Sequence, residues 1–153
     1  MRKALFLDRD GVINVDSGYV HDASEFVFVE GVFDFCRFAE SKGYILIVVT
    51  NQSGIGRKLF SEEDFRVLAE YMLAKFKEQG VEIADVFYCP DLESEDRKPS
   101  PGMFLKAQSK WDIDMRRSVS VGDKDRDIEA GQSAGVGKNF LFNGNFNVIK
   151  EAL

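Results

Sequence analysis

At 153 residues and 44% hydrophobic content, the chain can bury a substantial core, and its length is that of a single domain over residues 1–153. A formal net charge of -6 with no block of like charge argues against a nucleic-acid or membrane-surface binder, which needs a basic face. An anionic substrate would have to find a local pocket of lysine, arginine and metal.

Met1-Arg2-Lys3 is basic, but the apolar run behind it, Ala4-Leu5-Phe6-Leu7, is too short for a secretory h-region. Lys3–Leu7 reads as a buried strand. Val32–Ser41 carries apolar residues at helical spacing, and Lys42-Gly43 ends that helix. Tyr44–Val49 is a continuous apolar run rich in β-branched residues, a strand pattern far too short to cross a membrane. Ser61 is a natural N-cap, followed by Glu62, Glu63 and Asp64, acids that suit the positive end of a helix. That helix is predicted to reach about Gln79, with Gly80 as its stop. Asp85–Cys89 is a third strand, and Pro101 suits the first turn of a helix through Trp111. Ser118–Val121 is a fourth strand, Arg126–Ala134 a helix, Asn139–Phe142 a fifth strand, and the last residues a short amphipathic helix.

Strands alternating with helices imply right-handed crossovers and a mainly parallel, doubly wound sheet with helices on both faces, a three-layer α/β fold. Ligands in such folds bind beyond the carboxyl ends of the strands, where strand order reverses. The two cysteines, Cys36 and Cys89, make no disulfide framework, so the cytoplasm is the expected compartment, and a monomer the expected state.

Function is therefore expected in the residues at each strand's exit. The first delivers Asp8-Arg9-Asp10-Gly11, the second Thr50-Asn51-Gln52-Ser53-Gly54, the third a loop reaching Arg97-Lys98, and the fourth Gly122-Asp123-Lys124-Asp125. One strand ending in an acid is ordinary turn chemistry; four polar exits, three of them with complementary charges, suggest a shared site. If the first and fourth strands exit side by side, Asp8 and Asp123 repel unless a proton or cation lies between them. Mg²⁺ suits the position, since it prefers oxygen ligands and needs only one or two carboxylates plus phosphate. Asp8 could then attack phosphorus, forming an aspartyl phosphate. Asp10 could serve as general acid and then base. Gly11 frees the backbone for the turn. Thr50, Asn51 and Ser53 offer donors to phosphate oxygens, and Lys98 a fixed positive charge.

Asp8-Arg9-Asp10-Gly11 resembles the first motif of the haloacid dehalogenase (HAD) superfamily of phosphatases. Thr50 resembles the second, Lys98 the third, and Gly122-Asp123 with Asp127 the fourth. The stretches FLDRDGVINVDSGYV, VVTNQSGIGR, RKPSPGM and VGDKDRDIEAG are similar to D-glycero-D-manno-heptose 1,7-bisphosphate phosphatases, whose relatives include histidinol-phosphate phosphatases. The resemblance implies a capless, Mg²⁺-dependent phosphomonoesterase acting on a small sugar bisphosphate. It makes Asp8 the nucleophile and a metal ligand, Asp10 the acid/base with its carbonyl on the metal, and Asp123 the other metal ligand. Thr50 and Lys98 would stabilise the transferring phosphoryl group. Asp16, Ser17, Gly18, Tyr19, Asn51, Gln52, Ser53, Arg97 and Lys124 would shape the substrate site, with Arg97 gripping the distal phosphate. The family's zinc loop is reduced here to Cys89, with Asp91 where histidine would stand, and a lone cysteine cannot close a tetrahedral site, so no structural zinc is expected.

Blander roles are assigned to several residues. Asp127 is read as a helix-start acid that orients Lys98 or a water beyond the metal ligands, His21 as a structural or rim residue, and Cys36 as core. The segments 14–31 and 54–86, where a cap would be inserted, hold loops and one helix, so closure falls to short loops and other small phosphates are expected substrates. A phospho-accepting receiver domain also arranges acids, Thr and Lys around Mg²⁺, but Asp10 as a hydrolytic base favours turnover. Histidinol phosphate is the nearest alternative substrate.

Overall fold

The computed structural model describes all of residues 1–153. Its strands are β1 (Lys3–Leu7), β2 (Tyr44–Asn51), β3 (Ile83–Cys89), β4 (Val119–Gly122) and β5 (Lys138–Leu141). They form one parallel sheet in the order β3-β2-β1-β4-β5. The helices are α1 (Val32–Ser41), α2 (Ser53–Gly56), α3 (Glu62–Glu78), α4 (Gly102–Trp111), α5 (Asp125–Ser133) and α6 (Asn147–Lys150).

Successive side chains of a strand point to opposite faces, so β1 feeds two cores. Leu5 and Leu7 join Leu46, Val48, Val119 and Val121 on one face, against Phe35 of α1 and Leu68, Met72 and Phe76 of α3. Ala4 and Phe6 join Ile47 and Val49 on the other, against Met103, Phe104 and Ala107 of α4 and Ala130 of α5. Burial on both faces is why β1 and β2 read as unbroken apolar runs rather than alternating ones. Local signals set the helix ends. Ser61 Oγ accepts from the Asp64 N–H and Asp64 Oδ2 from the Ser61 N–H, each at 3.0 Å, a reciprocal cap that starts α3.

The site is positioned by register. Leu7 of β1 pairs with Val48 of β2 on one side and Val121 of β4 on the other. The order runs outward from β1 through β2 to β3 and, in the other direction, through β4 to β5. It therefore reverses between β1 and β4, and a crevice opens there at the carboxyl ends.

Some elements differ from the sequence expectation. Thr50 and Asn51 lie within β2 and pair with Tyr88 and Cys89 of β3, although their polarity ends the apolar run that signals the strand. Helix α2 was not anticipated, because Gly54 and Gly56 give its four residues the look of a loop. Between positions 14 and 31 the only helical element is a 3-10 turn at Ala23–Glu25. No helix is long and apolar enough to cross a membrane.

Candidate active site

Because β1 and β4 are hydrogen-bonded neighbours, Asp8 and Asp123 leave the sheet together, and the Asp8 N–H donates to the Val121 carbonyl at 3.0 Å. Carboxylate oxygens of Asp8, Asp123 and Asp127 lie within 4.8 Å of one another. Gly11 makes room for this. Its φ of +95° is a left-handed conformation that glycine adopts at no steric cost, and a Cβ there would stand 2.0 Å from Asp123 Oδ2.

The oxygens of the three acids are not equally free. Asp127 Oδ1 is 2.9 Å from Lys98 Nζ, and its Oδ2 accepts the backbone N–H groups of Asp123 and Lys124 at 3.1 Å each. Both oxygens are thus occupied at the start of α5, and Asp127 orients Lys98 and the strand-four exit. Asp123 Oδ1, in contrast, is buried with no hydrogen-bond partner. A buried carboxylate oxygen without a donor is costly unless a cation meets it. Asp123 and Asp8 are the pair whose chemistry fits a hard, oxygen-seeking cation such as Mg²⁺.

Lys98 is 2% exposed, and its Nζ sits 3.3 Å from Asp8 Oδ1 and donates to the Val49 carbonyl at 2.5 Å. Burial alone would lower its pKa, but Asp8 and Asp127 outweigh burial and hold the ammonium above its ordinary 10.5. Burial pushes the Asp8 carboxyl well above the usual range, Lys98 opposes that, and Asp127, Asp123 and Asp10 add to it. Asp8 and Asp127 share Lys98, Arg9 pairs with Asp10 and Lys124 approaches Asp123 at 3.7 Å, so these acids outnumber the cations paired with them, and a divalent cation would keep Asp8 ionised for attack.

Asp10 is held by its own neighbours. Its Oδ1 accepts from Arg9 and from Asn14 Nδ2 at 2.9 Å, and its Oδ2 from Gln52 Nε2 at 3.0 Å. Gln52 Nε2 also donates to Thr50 Oγ1 at 3.0 Å, so the second strand's exit supports the first. Asn51 forms a reciprocal pair with the Lys98 backbone: Nδ2 donates to its carbonyl at 3.2 Å and Oδ1 accepts its N–H at 3.0 Å. The Asn51 amide thereby fixes the loop that carries Lys98.

A cavity of about 280 Å³ opens over these groups. Of the predicted residues, Asp8, Asp10, Asp16, Gly18, Tyr19, Asn51, Gln52, Ser53, Arg97, Asp123 and Lys124 line it. Thr50 and Lys98 are buried and do not line it, reaching it through Gln52 and Asp8. Ser17 is exposed and lies outside the lining. The Gly18 N–H donates to Asp16 Oδ1 at 3.0 Å in a tight turn, and Tyr19 stands at the rim with φ +47°. His21 is placed as a structural residue: its ring stacks on Phe60 at 5.2 Å, and its Nδ1 is 2.9 Å from the Tyr19 carbonyl.

Four contributors were not singled out from the sequence. Arg57 and Arg126 line the cavity beside Arg97 and Lys124, and Arg9 and Asn14 grip Asp10. Reading each strand exit a few residues further would have reached the two arginines. Arg57 follows Gly54-Ile55-Gly56, and Arg126 falls in the first turn of α5. The loop before Lys98 is closed by hydrogen bonds, Cys89 Sγ lying 3.3 Å from Ser94 Oγ, and Arg97 Nη1 donating to the Asp91 carbonyl at 3.3 Å.

A family model described as HAD-hydrolase-like matches residues 96–147. The D-glycero-alpha-D-manno-heptose-1,7-bisphosphate 7-phosphatase of Campylobacter jejuni is 46% identical over 142 residues, spanning 92% of this chain and 83% of that protein. The D-glycero-beta-D-manno-heptose-1,7-bisphosphate 7-phosphatase of Vibrio cholerae is 49% identical over 150 residues, spanning 92% and 81%. Among solved structures, the D,D-heptose 1,7-bisphosphate phosphatase of B. bronchiseptica, complexed with magnesium and phosphate, matches with a TM-score of 0.83. It is 29% identical and covers 89% of this chain and 78% of that one.

Proposed function

This chain belongs to the HAD-like phosphatases, in the family of the heptose-bisphosphate phosphatases, and from that premise we propose that residues 1–153 form one catalytic domain hydrolysing a heptose bisphosphate. The substrate is a D-glycero-D-manno-heptose 1,7-bisphosphate, and the 7-phosphate is the group removed, as the names of both relatives indicate for those proteins. The observation that carries the reading is the neighbouring pair Asp8 and Asp123, one with a buried, unpartnered oxygen, backed by the buried Lys98.

Asp8, the Asp10 carbonyl and Asp123 would hold Mg²⁺, which when bound offsets the crowded carboxylates and draws charge from the phosphoryl oxygens. An Asp8 carboxylate oxygen attacks phosphorus as the bond to the sugar oxygen breaks. Asp10 gives that oxygen its proton, and the sugar leaves as an alcohol. A water then attacks the phosphorus of the aspartyl phosphate, Asp10 takes its proton, and phosphate leaves with Asp8 restored. Lys98 holds Asp8 in line, and Thr50 reaches Asp10 through Gln52. Arg97 and Lys124, with Asp16, Gly18, Tyr19 and Ser53 around them, bind the rest of the substrate and its second phosphate. The two cysteines are free and buried, which supports a cytoplasmic location.

Phosphate release with and without Mg²⁺ tests this, on both anomers of the heptose bisphosphate, on mannose and fructose bisphosphates, and on histidinol phosphate. The expected result is Mg²⁺-dependent turnover that is fastest on a heptose bisphosphate and abolished by Asp8→Asn in a folded protein. Faster turnover of histidinol phosphate would reassign the substrate. Activity retained by Asp8→Asn would reassign the nucleophile. Absence of turnover on every ester would refute the phosphatase reading.

A further inference from the structure

We propose that Arg9 is a positioning residue that, with Asn14, pins Oδ1 of Asp10 and leaves Oδ2 as the oxygen that exchanges a proton with the sugar oxygen. The inference rests on the phosphatase reading above and adds to it a residue and an atom.

Arg9 lies between the two acids of the first strand exit and is 2% exposed. Its Nε and Nη2 donate to Asp10 Oδ1 at 3.2 and 2.9 Å, and Nη2 also donates to Oδ2 at 3.1 Å. The same Nη2 donates to the Val20 carbonyl at 2.8 Å, just beyond the rim residue Tyr19. The guanidinium carbon lies 5.8 Å from each of the Phe26 and Phe65 ring centres. The main chain is held as well, since the Arg9 carbonyl accepts the N–H groups of Val12, Ile13 and Asn14 at 3.2, 2.8 and 3.1 Å.

A buried arginine is expensive, and an apolar residue of similar volume is often the more stable choice. Arg9 has one acidic partner, Asp10, so what the buried charge secures is the placement of that carboxyl group. A planar guanidinium suits the task because its fork fixes both the distance and the plane of a carboxylate, which a lysine ammonium cannot do.

The donors are not shared equally. Oδ1 faces Arg9 Nε, Arg9 Nη2 and Asn14 Nδ2. Nη2 has two hydrogens: one meets Val20, and the other is divided between Oδ1 at 2.9 Å and Oδ2 at 3.1 Å. Oδ2 therefore keeps Gln52 as its one undivided donor and retains room for a proton. A chain of contacts also runs from the rim loop at Val20 through Arg9 to Asp10. The loop beside the substrate and the group that protonates the leaving oxygen share one guanidinium nitrogen.

The test compares two esters by kcat/KM, which reads steps only through departure of the leaving group. One is the sugar bisphosphate turned over fastest by the wild-type protein, whose alkoxide needs a proton. The other is p-nitrophenyl phosphate, whose phenolate leaves without one. Arg9→Lys and Arg9→Met are expected to lower kcat/KM on the sugar ester by roughly 10²-fold and on the aryl ester by less than about threefold, the pattern of lost general acid catalysis. A purely structural role moves both esters together. Equal losses on the two esters, or no loss on either, would overturn the proposal. If Arg9→Met does not fold, Arg9→Lys decides. If neither folds, Arg9 serves the fold and the proposal fails. Failure of the wild-type protein to turn over any ester is a separate outcome, refuting the phosphatase reading itself.

Discussion

Replacing Gly11 by alanine adds a single methyl group at the point where the first strand exit meets the fourth. The new Cβ would stand 2.0 Å from Asp123 Oδ2 and 2.4 Å from its Cγ, whereas ordinary contact begins near 3.4 Å. The carboxylate must therefore retreat by more than an ångström, or the 8–11 turn must open. A φ of +95° also strains any residue with a Cβ, at a cost of about 1–2 kcal/mol. A misplacement of about 1 Å at a reacting centre costs on the order of 10²-fold in rate. The expected outcome is a higher Mg²⁺ concentration for half-activation, a kcat lower by about that factor, and a melting temperature lower by several degrees, since about 1 kcal/mol is worth 2–4 °C at this size. Phosphate release titrated with Mg²⁺, alongside thermal melts in chelator, separates the site effect from backbone strain. Wild-type Mg²⁺ dependence with kcat within about threefold of wild type would refute the reasoning, because Asp123 would then be indifferent to its packing against Gly11.

Three further outcomes follow from the charge layout. Asp123→Asn should abolish saturable Mg²⁺ activation, whereas Asp127→Asn should keep it while losing about 1–3 kcal/mol of stability in urea, because the Asp127 oxygens are spent on Lys98 and the backbone. Lys98→Met leaves Asp8 and Asp127 without their shared cation. A loss of about 3–5 kcal/mol in urea denaturation is expected, together with loss of turnover. In chelator, stability should fall as pH rises from 3.8 toward the raised folded value of Asp8. The folded protein holds the Asp8 proton more tightly than the unfolded chain, whose carboxyl titrates near 3.8, so this contribution is present at acid pH and lost as pH climbs through the folded value. Asp64 and Asp85 are held below 3.8 and act in the opposite sense only at lower pH. Saturating Mg²⁺ should flatten the slope, and an unchanged slope would show that the cation does not meet Asp8.

Much of the fold is legible in short stretches. The run at Tyr44–Val49, the reciprocal cap at Ser61 and Asp64, and the glycines at 43 and 80 locate β2, α3 and two helix ends with errors of a residue or two. These signals are local: chain stiffness, capping donors and a backbone that only glycine adopts cheaply act within a few residues. The chemistry at the strand exits is legible for the same reason, since a polar cluster breaking an apolar run is visible without coordinates. Less visible is what a polar side chain will bond to. Asn51 reads as a phosphate donor, yet its amide closes on the backbone of Lys98, 47 positions away. Arg9 carries no assigned role among the strand-exit residues, yet the turn after β1 folds it onto Asp10 and Val20.

Which residues stand at the ends of the strands follows from the chain alone, because strand and helix propensities are settled over a few neighbouring positions. That the first and fourth strands are neighbours, so that Asp8 and Asp123 face one another while Lys98 is drawn in beneath them, comes from long-range packing. Adjacency in a parallel sheet depends on which way each crossover helix packs, and that is settled by burying two cores at once rather than by any local stretch of chain.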